Sequence, residues 1–211
     1  MLGLAKSKNF ILKAIVAITF IYFFWLMLNI TLDYVPIASD VSFLMIKQTE
    51  VTSRPAYLPI FYIHVYSSIF ALLAGFIAVF FDKNLKYLHR FSGRIYVFVT
   101  LIFSSLSGIY IGIFANGGWI AKVSFVLLGV FWFCTTYKSY SEIRKKNIVQ
   151  HKFWMWRSYA LAVSAITLRM WKVILVYLFQ PNPMDVYQVI AWLGWIPNLL
   201  LVEYLIKKQN R

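Results

Sequence analysis

Long apolar runs separated by short polar connections dominate the chain. Six of them, at 10–30, 59–81, 95–115, 119–137, 154–179 and 186–206, can each cross a hydrocarbon core of about 30 Å at a rise of 1.5 Å per residue. They predict an all-α fold: a polytopic membrane helix bundle of six transmembrane helices, forming a single integral membrane domain over residues 1–211. The outer loop 31–57 carries Pro36 and Pro55, and its apolar stretch 41–46 is too short to span, predicting a short interfacial helix. Connection 138–153 predicts a helical extension followed by a turn. Pro197 predicts a kink in the last helix and a freed carbonyl that needs another partner. The first run exceeds a signal-peptide core and no small-residue cleavage site follows it, so it is expected to be a retained helix.

Charge sorts the connections into two sets. One holds Lys6, Lys8 and Lys13, then Lys83, Lys86, Arg90 and Arg94, then Lys138, Arg144, Lys145, Lys146, Lys152 and Arg157, and finally Lys207, Lys208 and Arg211. The other sets Lys47, Arg54 and Lys122 against Asp33, Asp40, Glu50 and Asp185. The positive-inside rule places both termini in the cytoplasm. Composition agrees: 13% of residues are charged, against about 25% in soluble domains. The net charge of +14 follows topology and faces anionic lipid, so membrane lipid is the expected partner and nucleic acid is not. Cys134 is the only cysteine, which excludes an internal disulfide and thiolate metal sites. Trp119, Trp154, Trp156 and Trp195 are expected near the headgroup boundary.

At 100° per residue, each span shows which side is small. His64, Ser68, Ala71, Gly75 and Ala78 share one side of the second span, and Ser104, Gly108 and Gly112 repeat every four residues in the third. In the fifth, Trp154, Ser158, Ala162, Ala165, Arg169 and Lys172 fall within a quarter of the circumference, so two deep cations are expected to face the bundle. A cation at mid-helix costs about 2.5–3.5 kcal/mol on insertion scales. All seven acids lie in loops or near span ends. Arg169 and Lys172, with His64, therefore predict an outward cavity awaiting an anion: a phosphate, a carboxylate, a lipid headgroup or a haem propionate.

His89 and His151 lie at the cytoplasmic starts of the third and fifth spans, while His64 lies near the opposite leaflet, which argues against a zinc site using all three. Two imidazoles on one level are what a six-coordinate b-type haem requires. In that reading Gly93, on the side of His89, allows close approach by a flat ligand, and Arg90, Arg94 and Arg157 pair the propionates.

"LHRFSGRIYVF" (88–98), "GGWIAKVSFVLLGVFWFCTTYKSY" (117–140) and "HKFWMWRSYALAVSAITLRMW" (151–171) resemble a family of bacterial predicted membrane proteins of unknown function. Its H-R-x-x-G-R-x-Y element maps to His89, Arg90, Gly93, Arg94 and Tyr96. Its H-x-x-W-M-x-R-S-Y-A-L element maps to His151, Trp154, Met155, Arg157, Ser158, Tyr159, Ala160 and Leu161, followed by Thr167, Leu168 and Arg169. His64 is similar to a family histidine in the preceding span, and Lys152 stands where arginine is common. The likeness covers about 60–172 and carries no activity. It implies a multi-pass protein of the bacterial inner (cytoplasmic) membrane.

Three function classes fit these residues: haem b binding or membrane electron transfer at His89 and His151 is the leading specific reading, with transport or binding of an anionic small molecule or lipid at His64, Arg169 and Lys172, and a ligand-free assembly subunit, as alternatives. The absence of a nucleophile–base pair gives an enzyme no support, and the lack of intramembrane acids argues against a proton pump.

Overall fold

The computed structural model describes residues 2–81 and 85–209, with side chains from residue 11 onward. The basic flank residues Lys83 and Arg211, Asp82, and the side chains of Lys6 and Lys8 lie outside the described residues. The described chain is helical without strands. Helix α1 spans Leu2–Leu32, and a 3₁₀ turn at Ser42–Lys47 leads into the short α2, Gln48–Ser53. Then come α3 (Tyr57–Phe80), α4 (Lys86–Val99), a π-helical turn (Thr100–Ser104) and α5 (Ser105–Ile113). The rest is α6 (Gly118–Arg144), α7 (Ile148–Ala162), α8 (Ser164–Phe179), α9 (Pro183–Leu193) and α10 (Ile196–Gln209).

Five helical stretches are long and apolar enough to cross a membrane: Ile11–Leu32, Tyr57–Phe80, Lys86–Ile113, Gly118–Arg144 and Pro183–Gln209. The pair α7–α8, bent by 40° at Val163, makes the sixth when counted as one span. All six apolar runs thus recur as helices. The third begins nine residues early, which puts His89 inside a helix, and α6 extends to Arg144 before a turn in which Lys146 takes a positive φ. The loop segment 41–46 became the 3₁₀ turn, as its length required.

The described basic flanks gather at one end of the bundle, together with Glu142, and Asp33, Asp40, Glu50 and Asp185 lie at the other; below these are the basic end and the acidic end. In the basic half α7 sits centrally and packs on α3, α6 and α10. The acidic half is built differently. Beyond the bend α8 packs on α9 and, sparingly, on α1, without an extended contact to α3, α5 or α6.

The bend has an identifiable cause. No proline or glycine stands there, but Thr167 Oγ donates to the carbonyl of Gly194 at 2.5 Å, with the Val163 and Ser164 carbonyls of its own helix further off at 3.4 Å. Asn198 Nδ2, one residue past Pro197, donates to the Ala160 carbonyl at 3.2 Å, to Thr167 Oγ at 3.0 Å and to the Gly194 carbonyl at 3.2 Å. The last span breaks at Gly194–Trp195, so its break and the bend of the fifth span face each other and share polar partners. Buried in hydrocarbon, the carbonyls loosened by each irregularity would otherwise be costly. A Cβ on Gly194 would stand 2.9 Å from Leu168 Cβ, which is why a glycine lets α8 and α9 approach there.

Two expectations need correction. The fifth span is not one straight face: the bend separates the fully buried Ser158 from Arg169, so a single 100° wheel does not describe both. Trp195 does not lie at a headgroup boundary. It is buried mid-span, where its Nε1 donates to Ser124 Oγ at 3.0 Å and Ser124 in turn donates to the Ala191 carbonyl at 2.8 Å. An indole with a buried partner for its N–H is held better inside than at the interface.

Candidate functional site

The inward small faces predicted for α3 and α5 meet each other. Ala71 and Ala78 are buried, Gly75 accommodates the rings of Tyr96 and Tyr159, and Gly108 supports the His64 ring, whose Cε1 lies 3.0 Å from where a Cβ would stand. His64 Nδ1 donates to the Ser104 carbonyl at 3.0 Å, at the end of the π-helical turn, and lies 3.3 Å from Ser107 Oγ. A carbonyl only accepts, so Nδ1 carries the hydrogen and the other ring nitrogen offers its lone pair. That Nε2 has Ser68 Oγ at 3.5 Å, too long for a firm hydrogen bond.

Arg169 projects from α8 into the acidic half. Its NH1 donates to the Ala165 carbonyl of its own helix at 2.8 Å, and among the described residues no carboxylate pairs with it. Its side chain is exposed, on a helix that packs mainly on α9. Lys172, one turn further along α8 and exposed, places its ammonium 5.7 Å from the Tyr187 ring centroid. Beyond it, Leu175, Phe179, Pro181, Asp185, Val186 and Val189 line an apolar groove of about 210 Å³ between α8 and α9.

The loop between α1 and α3 packs on α3 and α5 at this end. Tyr62 hydroxyl donates to the Ala38 carbonyl at 2.8 Å and Tyr66 hydroxyl to the Tyr34 carbonyl at 2.8 Å, fixing Tyr34 against α3. Lys47 is buried, pairs with Glu50 at 2.8 Å and also donates to the Phe114 carbonyl, which ties the loop to the end of α5. Burial raises the Glu50 carboxyl, but its bonds to Lys47 and to backbone outweigh that and hold it below its ordinary value.

At the basic end the histidines behave alike. His89 Nδ1 donates to the Ala78 carbonyl at 2.7 Å, tying α4 to α3, and His151 Nδ1 donates to the Ser139 carbonyl at 2.9 Å, tying α7 to α6. Each ring braces its own hairpin and keeps Nε2 free, and no hydrogen bond joins the two among the described residues. Arg90 and Arg94 are exposed, and Gly93 packs toward Ala78 of α3. Arg157, expected on a propionate, instead forms a two-pronged pair with Glu203 of α10: NH2 reaches Oε2 at 2.9 Å and Nε reaches Oε1 at 2.5 Å. It also lies over the Trp154 ring, 4.6 Å from the centroid. Sequence reasoning missed this pair, though Arg157 and Glu203 stand nearly equidistant from the connection between their spans. Among the described residues no three His, Cys, Asp or Glu side chains group as a metal site.

The motif residues Tyr96 and Ser158 form a buried polar circuit that was also not foreseen. Trp132 Nε1 donates to Tyr96 hydroxyl at 2.9 Å, and Tyr96 lies 2.6 Å from Ser158 Oγ, itself 2.6 Å from Thr136 Oγ. Thr136 donates to the Trp132 carbonyl at 2.7 Å. With Thr136 committed to that carbonyl, Ser158 donates to Thr136 and Tyr96 donates to Ser158, so each hydroxyl gives one hydrogen and takes one. This joins α4, α6 and α7.

Residues 61–206 match the family model described as "Predicted membrane protein (DUF2306)", and the chain belongs to that family. No curated protein and no solved structure matches the chain.

Proposed function

We propose that this protein binds, and in transport would carry, an anionic small molecule or lipid headgroup in the open acidic half of its bundle. The protein would sit in the bacterial cytoplasmic membrane with its basic end toward the cytoplasm and the site facing outward, the orientation that its loop charges favour. One observation carries the reading: Arg169, in the middle of α8, has a carbonyl of its own helix as partner and no carboxylate among the described residues. The protein retains this charge at a cost, which favours a visiting anion over a structural pair. The ligand-free assembly reading leaves that charge without a purpose.

Arg169→Ala is expected to weaken anion retention about 10- to 100-fold, the worth of a charged hydrogen bond, with little change in thermal stability. Native mass spectrometry of the purified protein beside a thermal melt in the same detergent measures both. Equal loss of retention and of folded protein would leave Arg169 a structural role only.

A second reading, haem b binding or electron transfer, draws on one feature: both basic-end imidazoles have Nδ1 fixed by a carbonyl and Nε2 unengaged, as ligating histidines do. It requires the free nitrogens of two separate hairpins to reach one iron. Protein purified from haem-replete cells would then show a Soret band that is lost in His89→Ala and in His151→Ala. Colourless protein would remove this reading.

A further inference from the structure

Cations also stand without an acid at the basic end. On α4, Lys86, Arg90 and Arg94 follow one another at every fourth residue, which sets them within about 80° of the helix circumference and about 12 Å of its length. All three side chains are exposed, and among the described residues no acid pairs with any of them. Beside them run Tyr87, Phe91 and Phe98, which are 82%, 54% and 59% exposed. The Tyr87 and Phe91 rings stack, 6° from parallel with centroids 6.4 Å apart. Packing fixes this face outward. The other side of α4 lies on α3 and α6, where His89 is bonded to the Ala78 carbonyl, Gly93 sits against Ala78 and Tyr96 is buried among the linked hydroxyls.

The groups along this face come in the order of a lipid standing in the leaflet at the basic end. Cations occupy the first turns, where headgroups lie, and exposed rings continue into the span as far as Phe98. A topology signal needs positive charge near the end of a span, but no particular face. Like charges at this spacing repel, and a counter-charge beside them relieves the repulsion. One phosphodiester would leave most of the three charges uncompensated. Two phosphodiesters in one headgroup give each arginine fork a pair of oxygens, with Lys86 as a further point charge. From the shared face, its exposed rings and its three positive charges, we infer that α4 docks a phospholipid with two phosphodiesters in one headgroup, of the cardiolipin type. An acidic protein surface would match the cations but not the rings that continue into the hydrocarbon. The inference does not depend on the anion site proposed at Arg169.

The test uses the full chain in a neutral detergent, with native mass spectrometry measuring retention of added cardiolipin, phosphatidylglycerol and phosphatidylcholine. The wild type is expected to hold cardiolipin about 10-fold more tightly than phosphatidylglycerol, the worth of one further charged contact, and phosphatidylcholine least. Arg90→Gln with Arg94→Gln should bring cardiolipin and phosphatidylglycerol within about two-fold of each other. Lys207→Gln with Lys208→Gln removes the same charge from exposed positions at the same end and should leave the ratio unchanged. Arg169→Ala should also keep the full preference, which separates this surface from the acidic-end site. Where the glutamine pair fails to insert, Arg90→Lys with Arg94→Lys decides in its place: it keeps the charge that sets topology, removes the forks, and should lower the ratio about three-fold. Equal retention of the two anionic lipids by the wild type, or a ratio that falls alike in the α4 and α10 pairs, overturns the inference and leaves these cations a topology signal. A preference that survives the α4 substitutions also overturns it, since the lipid would then sit elsewhere.

Discussion

Gly75→Ala is expected to destabilise the bundle by about 1–3 kcal/mol, and Gly75→Val by more. A Cβ at Gly75 would stand 2.6 Å from Tyr159 Cδ2 and 2.8 Å from Tyr96 Cδ2, well inside contact distance. Neither ring can give way freely. Tyr96 is held by Trp132 and Ser158, Tyr159 hydroxyl donates to the Leu72 carbonyl at 3.3 Å, and the two rings meet edge to face at 6.4 Å. Alanine recovers about 1 kcal/mol of helix propensity, which only partly offsets the overlap. The control is Gly93→Ala, whose Cβ would meet Ala78 Cβ at an ordinary 3.9 Å and is expected to be neutral or slightly stabilising. Thermal melts of both variants in one detergent decide the matter. Equal melting temperatures would mean that the junction of α3, α4 and α7 is looser than its contacts indicate.

Tyr96→Phe should cost a similar amount by a different route. The substitution keeps the ring and removes one oxygen, which orphans the indole hydrogen of Trp132 and takes away the hydrogen that Ser158 accepts. Each buried polar group left without a partner costs about 1–3 kcal/mol. Because the hydroxyls form a closed circuit, Ser158→Ala added to Tyr96→Phe should cost less than the sum of the two single changes. A double-mutant cycle on unfolding free energy measures the coupling. Strict additivity would show that the circuit does not act as a unit.

Much of the architecture was legible along the chain. Span number and approximate position followed from apolar length alone, a one-dimensional property fixed by the thickness of a bilayer. The small faces carrying His64, Gly75 and Gly108 were legible too, because within an unbroken helix the angle between residues is known. The same rule misled at Val163. The residues that bend the fifth span include Thr167 and Asn198, and their partners Gly194 and Ala160 lie across helices. A wheel drawn on one span contains none of that.

Sequence thus determined which runs are long and apolar enough to cross, which ends carry the positive charge, and that no acid shares the fifth run with Arg169. Tertiary structure decided which cation stays unpaired: Arg157 meets Glu203, whereas Arg169 emerges where α8 leans away from α3 and α5. It also decided the roles of the histidines, since which nitrogen of His64, His89 or His151 is engaged depends on a carbonyl from another helix. Hydrophobicity and charge belong to residues and can be read from them singly. Pairing and polarity of a site belong to distances between residues, and only folding sets those.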